Sequence, residues 1–215
     1  MSNIYFPCKI KNLFMKLGNR EIFNNTSIDI LDSPITSIYG SNGSGKTTLL
    51  KIIAGLINPM KGSIQFNEGK VMSTSDYSFF FQKLLFLNRS VFDNLYFVLN
   101  IKGYKHNEII KLIHDYASEY NVSSLLTRNP IKLSGGEQQI IAFIRSIITK
   151  PKVLFLDEPF LNLDSKFFEQ IENRLINFHK SKDVKVILIS HDYEQIKRIS
   201  NEIFYIKDKS IIKNN

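Results

Sequence analysis

The octapeptide Gly40-Ser41-Asn42-Gly43-Ser44-Gly45-Lys46-Thr47 constrains this chain more than any other segment. It fits G-x-x-x-x-G-K-[ST] and sits between an apolar run and a helical pattern. Residues 34–39 read as a buried strand running straight into Gly40, and residues 47–56 read as a helix ending near Asn58-Pro59. A strand, a glycine-rich loop and a helix N-terminus in that order aim successive backbone N–H groups at one point, where the helix dipole also favours negative charge. Phosphate binding is the expected chemistry. Lys46 would reach the β- and γ-phosphates and the Thr47 hydroxyl would ligate Mg²⁺, with Gly40, Ser41, Asn42, Gly43, Ser44, Gly45 and the following Thr48 completing the cradle. The competing reading is an ordinary glycine-rich turn, which this strand-to-helix context disfavours.

Two more apolar runs end on polar groups. Val153-Leu154-Phe155-Leu156 leads into Asp157-Glu158, and Val186-Ile187-Leu188-Ile189-Ser190 into His191. Continuous Val, Ile and Leu suit strands buried on both faces of a parallel sheet, and ligands bind outside the carboxyl ends of such strands. Loop, acid pair and histidine are therefore expected at one edge. Two adjacent carboxylates at a buried strand end are costly unless a cation or a reacting water uses them. Asp157 reads as a metal-side ligand, directly or through water, and Glu158 as a general base or water-positioning group. Taken alone, the segment also reads as solvated acids before Pro159.

Around these runs, residues 10–30 suggest short strands about a turn at Gly18-Asn19, and residues 63–66 another strand. From about 83 to 149 the strand signal fades. Helices are predicted over 91–101, capped by Gly103, over 107–120 and over 135–149. The expected fold is α/β: a mainly parallel sheet, a small N-terminal antiparallel β layer and an inserted helical subdomain, with 1–215 as one domain. Ser134 and Glu137 form a capping box that opens the third helix, yet Gly135 and Gly136 in its first turn each cost up to about 1 kcal/mol relative to Ala. A bare backbone there suits phosphate at a helix N-terminus.

Composition narrows the class. The 215 residues are 43% hydrophobic and 22% charged, a globular profile that excludes whole-chain disorder. One cysteine, Cys8, excludes a disulfide scaffold. No apolar run reaches the ~20 residues that span a bilayer, and residues 1–7 lack a signal peptide's pattern, so an intracellular chain is expected. The net charge of +8 comes from scattered Lys and Arg with no basic block, so no nucleic-acid partner is expected. His106, His114 and His179 fall in helix-like stretches and read as surface or boundary residues.

Gly40 to Thr47, Leu133-Ser134-Gly135-Gly136-Glu137-Gln138-Gln139, Val153 to Glu158 and His191 together resemble the Walker A, signature, Walker B and switch-histidine motifs of ABC-type ATPases, in the family's order over essentially the whole chain. The resemblance implies a P-loop NTPase core that binds ATP and Mg²⁺ and hydrolyses ATP. It also implies head-to-tail pairing, as a homodimer or a heterodimer of cassettes, in which Ser134, Gly135 and Gly136 of one chain contact the γ-phosphate held by the other. His191 would contact that phosphate too. Gln82 resembles the glutamine that senses Mg²⁺ and the attacking water, and the stretch after it the segment where membrane subunits dock. Asp164 resembles an aspartate that communicates across the dimer.

Three positions depart from the family pattern. Leu17 stands where an aromatic usually stacks on adenine, with Tyr5 or Phe6 able to substitute only if the N-terminus folds back. Ile140 stands where an Arg is common and Phe160 where a Thr is common.

Lys46 and Ser134 are 88 positions apart, too close for the long coiled coil of repair-type relatives. Translation factors usually carry two cassettes and this chain has one, while Glu158 and His191 argue against a module without turnover. The resemblance thus implies a transporter's ATPase subunit, peripheral at the cytoplasmic face of the membrane, with separately encoded transmembrane permease subunits. Residues 203–206 mark where the core cassette ends, so no regulatory C-terminal domain is expected. Residues 81–95 look similar to importers of tungstate and related oxyanions, which would add a substrate-binding protein. Exporters of lipoprotein or haem type and non-transport ATPases are the alternatives.

Overall fold

The computed structural model describes residues 3–161, 163, 165–181 and 184–214, with the side chains of Lys166 and His179 excepted. Asp164 lies outside the described residues. Two long strands, β1 (Cys8–Leu17) and β2 (Arg20–Ile30), form a hairpin closed by Gly18-Asn19, and β4 (Lys61–Gln65) pairs with the other edge of β1. This three-stranded antiparallel sheet, ordered β2-β1-β4, is the expected small β layer. Its hairpin strands have 10 and 11 residues rather than being short.

The second sheet has six strands: β3 (Ile35–Gly40), β5 (Tyr77–Phe80), β6 (Val153–Asp157), β7 (Lys185–Ile189), β8 (Glu202–Lys207) and β9 (Ser210–Asn214). Their order is β5-β6-β7-β3-β8-β9, all parallel except the β8–β9 pair. β5 does not stand out in the sequence, because it is a four-residue edge strand whose first three side chains are only half-buried. Along β6, Leu154 and Leu156 enter one core while Val153 and Phe155 enter the other, and β7 alternates likewise. Both faces of the central strands are therefore dry, the condition that produces their unbroken apolar runs.

Helix α1 (Lys46–Ile53) and the antiparallel sheet cover one face of the large sheet. The other face carries α2 (Val91–Ile101), α3 (His106–Glu119), α4 (Gly135–Ile147), α5 (Ser165–Ser181) and α6 (Tyr193–Ile199). The helix predicted to reach residue 56 stops at Ile53. Gly55, at φ +71°, donates to the Ile52 carbonyl and Leu56 donates to that of Lys51, a Schellman closure that glycine makes easy. At the amino ends of the central strands, the buried Lys185 ammonium donates to the carbonyls of Leu31 and Ser33 and to Thr36 Oγ1. Thr36 in turn donates to Glu202, so one polar network ties β7, β3 and β8 together at the edge opposite the glycine-rich loop.

Candidate active site

The neighbouring strands β6, β7 and β3 end at Asp157-Glu158, at Ser190-His191 and at the loop 40–45. The loop curls tightly. Gly45 adopts φ +106°, and a Cβ there would lie 2.4 Å from Ile22 Cγ2, so only glycine fits. Lys46 is buried and folds back, its Nζ donating to the carbonyls of Gly40 at 2.8 Å and Ser41 at 3.2 Å. Ser44 Oγ is buried without a hydrogen-bond partner among the described residues. An orphaned hydroxyl inside a cradle of backbone N–H groups fits a polyphosphate.

The Thr47 hydroxyl donates to the Asp157 carboxylate, at 2.9 Å to Oδ2 and 3.1 Å to Oδ1. Hard oxygen donors side by side suit Mg²⁺. Burial pushes the Asp157 carboxyl above the usual carboxylate range; the adjacent Glu158 charge adds to this while the Thr47 hydrogen bond opposes it. Glu158 has φ +53°, uncommon for a non-glycine residue, and its N–H is held by the Ile189 carbonyl at 3.0 Å. Its Oε2 lies 2.8 Å from His191 Nδ1. Gln139 of α4 reaches the carbonyls of Glu158 and Pro159 at 3.4 and 3.5 Å from below.

A cavity of about 390 Å³ is lined by Asn42, Gly43, Gly45, Lys46, Thr47, Thr48, Gln82, Asp157 and Glu158 together with Leu17, Arg20 and Ile22, while His191 lines neither it nor the cavity beside it and touches the site through Glu158. Gln82 is exposed there. Ser41 and Ser44 face an adjoining cavity of about 560 Å³. Ser134, Gly135 and Gly136 line neither cavity. They open α4, where the predicted capping box forms: Glu137 N–H donates to Ser134 Oγ at 3.3 Å and Ser134 N–H to Glu137 Oε2 at 2.9 Å. A Cβ on Gly135 would meet nothing within 4 Å, so no contact within this chain demands glycine.

The N-terminal aromatics do not fold back to the cavity. Tyr5 and Phe6 are buried against Phe66, with the Tyr5 hydroxyl donating to Asp76. Ile140 is a fully buried core residue and Phe160 is half-buried beside Phe168. His114 is exposed, and His106, also exposed, has a partner the sequence did not suggest, the Tyr96 hydroxyl at 3.0 Å. Sequence reasoning missed Arg20. The Gly18-Asn19 two-residue turn could have found it, since such a turn fixes Leu17 and Arg20 as cross-strand partners.

A family described as ABC transporter matches residues 23–161. The tungstate uptake system ATP-binding protein of Peptoclostridium acidaminophilum is 31% identical over 92% of this chain and 93% of its own length. A sulfate/thiosulfate import ATP-binding protein of Mesostigma viride is 34% identical over 90% of this chain, which spans only 57% of that relative. Among solved structures, a dimeric post-hydrolysis ATP-binding cassette bound to ADP and Pi is similar with a TM-score of 0.85 and 25% identity, covering 97% of this chain and 98% of that one. A dimeric bacterial ABC transporter cassette gives 0.84 and 26%, covering 95% and 96%. Among the described residues, no helix is long and apolar enough to cross a membrane.

Proposed function

Because this chain belongs to the ABC transporter family and is an ABC-type ATPase, we propose that it drives import of a small oxyanion such as tungstate through separate transmembrane permease subunits, at the cytoplasmic face of the membrane. One observation carries the ATPase site: adjacent strand ends bring the glycine-rich loop, the Thr47–Asp157 pair and Glu158 to one cavity, with His191 reaching it only through its contact to Glu158. The tungstate relative supports the substrate, since likeness runs through nearly the full length of both chains.

In this reading the backbone N–H groups of 43–48 and the Lys46 ammonium hold the β- and γ-phosphates, for which Lys46 must leave the carbonyls of Gly40 and Ser41. Thr47, Asp157 and Gln82 stand where a metal ion would be held, and a bound Mg²⁺ would neutralise charge on the transferring phosphoryl group. Glu158 takes a proton from the attacking water, and His191 fixes the carboxylate and reaches the γ-phosphate. Ser134, Gly135 and Gly136 act on the nucleotide held by a second cassette. Their place outside this chain's own cavity supports that reading, as does the open space at Gly135.

Tungstate, molybdate and sulfate accumulation in cells lacking this chain, measured by mass spectrometry, tests the substrate. Selective loss of tungstate supports the proposal, and loss of sulfate alone would replace it. Complementation by wild type but not by Lys46→Ala ties uptake to the cavity.

A further inference from the structure

Nucleotide binding, as proposed above, leaves the base without an aromatic seat. Among the described residues no aromatic side chain lines this cavity, Tyr205 in the wall of the adjoining one is stacked on Tyr39, Leu17 is an exposed aliphatic, and Tyr5 and Phe6 are locked in the core. The residue directly across the hairpin from Leu17 is Arg20. Directly opposed residues of an antiparallel pair project from the same face, and Ile22, two positions on, lines the same cavity. Arg20 Nη2 donates to the Gly43 carbonyl at 3.0 Å, and a Cβ on Gly43 would lie 3.4 Å from Nη1. The guanidinium is thus anchored by one edge to the loop that would hold the phosphates, while Arg20 itself is exposed.

We propose that Arg20, flanked by Leu17, is the platform on which the purine base of the nucleotide stacks. A guanidinium is planar, weakly hydrated and attracted to π-systems, so its face can do for a base what a ring does. Its fork is preorganised by the Gly43 carbonyl, which reduces the rotamer freedom lost on stacking. The seat lies beside the cradle, at the distance one hairpin register sets, and Leu17 adds apolar contact at its rim. This inference rests on the nucleotide-binding reading and adds the residue that recognises the base.

Titrating Mg·ATP and inorganic tripolyphosphate against the full chain separates a base contact from a phosphate contact. Arg20→Ala should weaken ATP by roughly 5- to 150-fold, the range for losing one stacked base, and leave tripolyphosphate unchanged. Arg20→Lys keeps the charge without the plane and should behave like Arg20→Ala. Leu17→Tyr in the Arg20→Ala background should restore ATP affinity. Equal losses for both ligands, with recovery in Arg20→Lys, would make Arg20 a phosphate contact and overturn the proposal, as would unchanged ATP affinity in Arg20→Ala. Lys46→Ala serves as the control for the reading beneath it: it should weaken both ligands, and if it weakened neither, nucleotide binding in this cavity would itself be refuted, independently of the Arg20 arms.

Discussion

His191 Nδ1 lies 2.8 Å from Glu158 Oε2, joining the ends of two adjacent parallel strands. The two partners differ in exposure: the glutamate side chain is 9% exposed and the histidine 59%. Glu158 has a left-handed backbone and lines the cavity, and the more exposed imidazole holds its carboxylate from outside that lining. With Glu158 as the base, Glu158→Gln should retain ATP binding while hydrolysis falls by a factor on the order of 10² or more. Steady-state turnover and nucleotide titration of the same preparation check this; near-normal turnover would remove Glu158 from the role.

The Thr47–Asp157 hydrogen bond sets two oxygen groups side by side, and on the proposed function they are ligands of Mg²⁺. Thr47→Val should therefore make ATP affinity much less sensitive to Mg²⁺, with affinity in EDTA close to wild type. Titrations with and without the metal read this directly. An undiminished Mg²⁺ effect would show that the threonine hydroxyl is no ligand.

Burial holds the Lys185 ammonium down to about 8, from an ordinary value of 10.5, against the opposing pull of Glu202. The unfolded chain then binds more protons than the folded one between those values, so stability linked to Lys185 rises as pH climbs from about 8 to 10.5 and is lost as pH falls through about 8. At pH 7 the lysine is charged in both states and the folded state bears the cost of burying it. Chemical denaturation of wild type and Lys185→Met across pH 7–10 should show wild type gaining relative stability by a few kcal/mol, following the 1.36 kcal/mol per unit rule. A difference independent of pH would contradict it.

Phe6 is 1% exposed and packs with Phe66. Phe6→Ala should cost about 3–5 kcal/mol of stability while leaving ATP affinity of the folded protein unchanged. A selective loss of nucleotide binding at full stability would place the N-terminal segment at the base.

Strands buried on both faces were legible because burial on both sides demands unbroken Val, Ile and Leu, as in β6 and β7. The glycine-rich loop was legible because its backbone admits few residues, Gly45 most severely, where φ is +106° and a Cβ would meet Ile22. The stop of α1 at Ile53 was not, since an apolar Leu56 continues the pattern that Gly55 interrupts. Arg20 carries no local pattern of its own. It acquires meaning only through the Gly43 carbonyl, 23 positions away, and through hairpin register opposite Leu17. Tyr5 and Phe6 failed as base partners for a similar reason: the sequence offers aromatics, and only packing against Phe66 decides where they go.

On the proposed function, ATP is hydrolysed at a site assembled from two copies, the cradle of one and Ser134-Gly135-Gly136 of the other. Mixing a Lys46→Ala chain with a Ser134→Arg chain tests it most directly, because their heterodimer contains one doubly damaged site and one intact site. Each variant alone should be inactive, and the mixture should regain ATPase activity with a concentration dependence that tracks dimer formation. A mixture as inactive as its parts, or wild-type activity that stays proportional to concentration where the protein is demonstrably monomeric, would contradict the account.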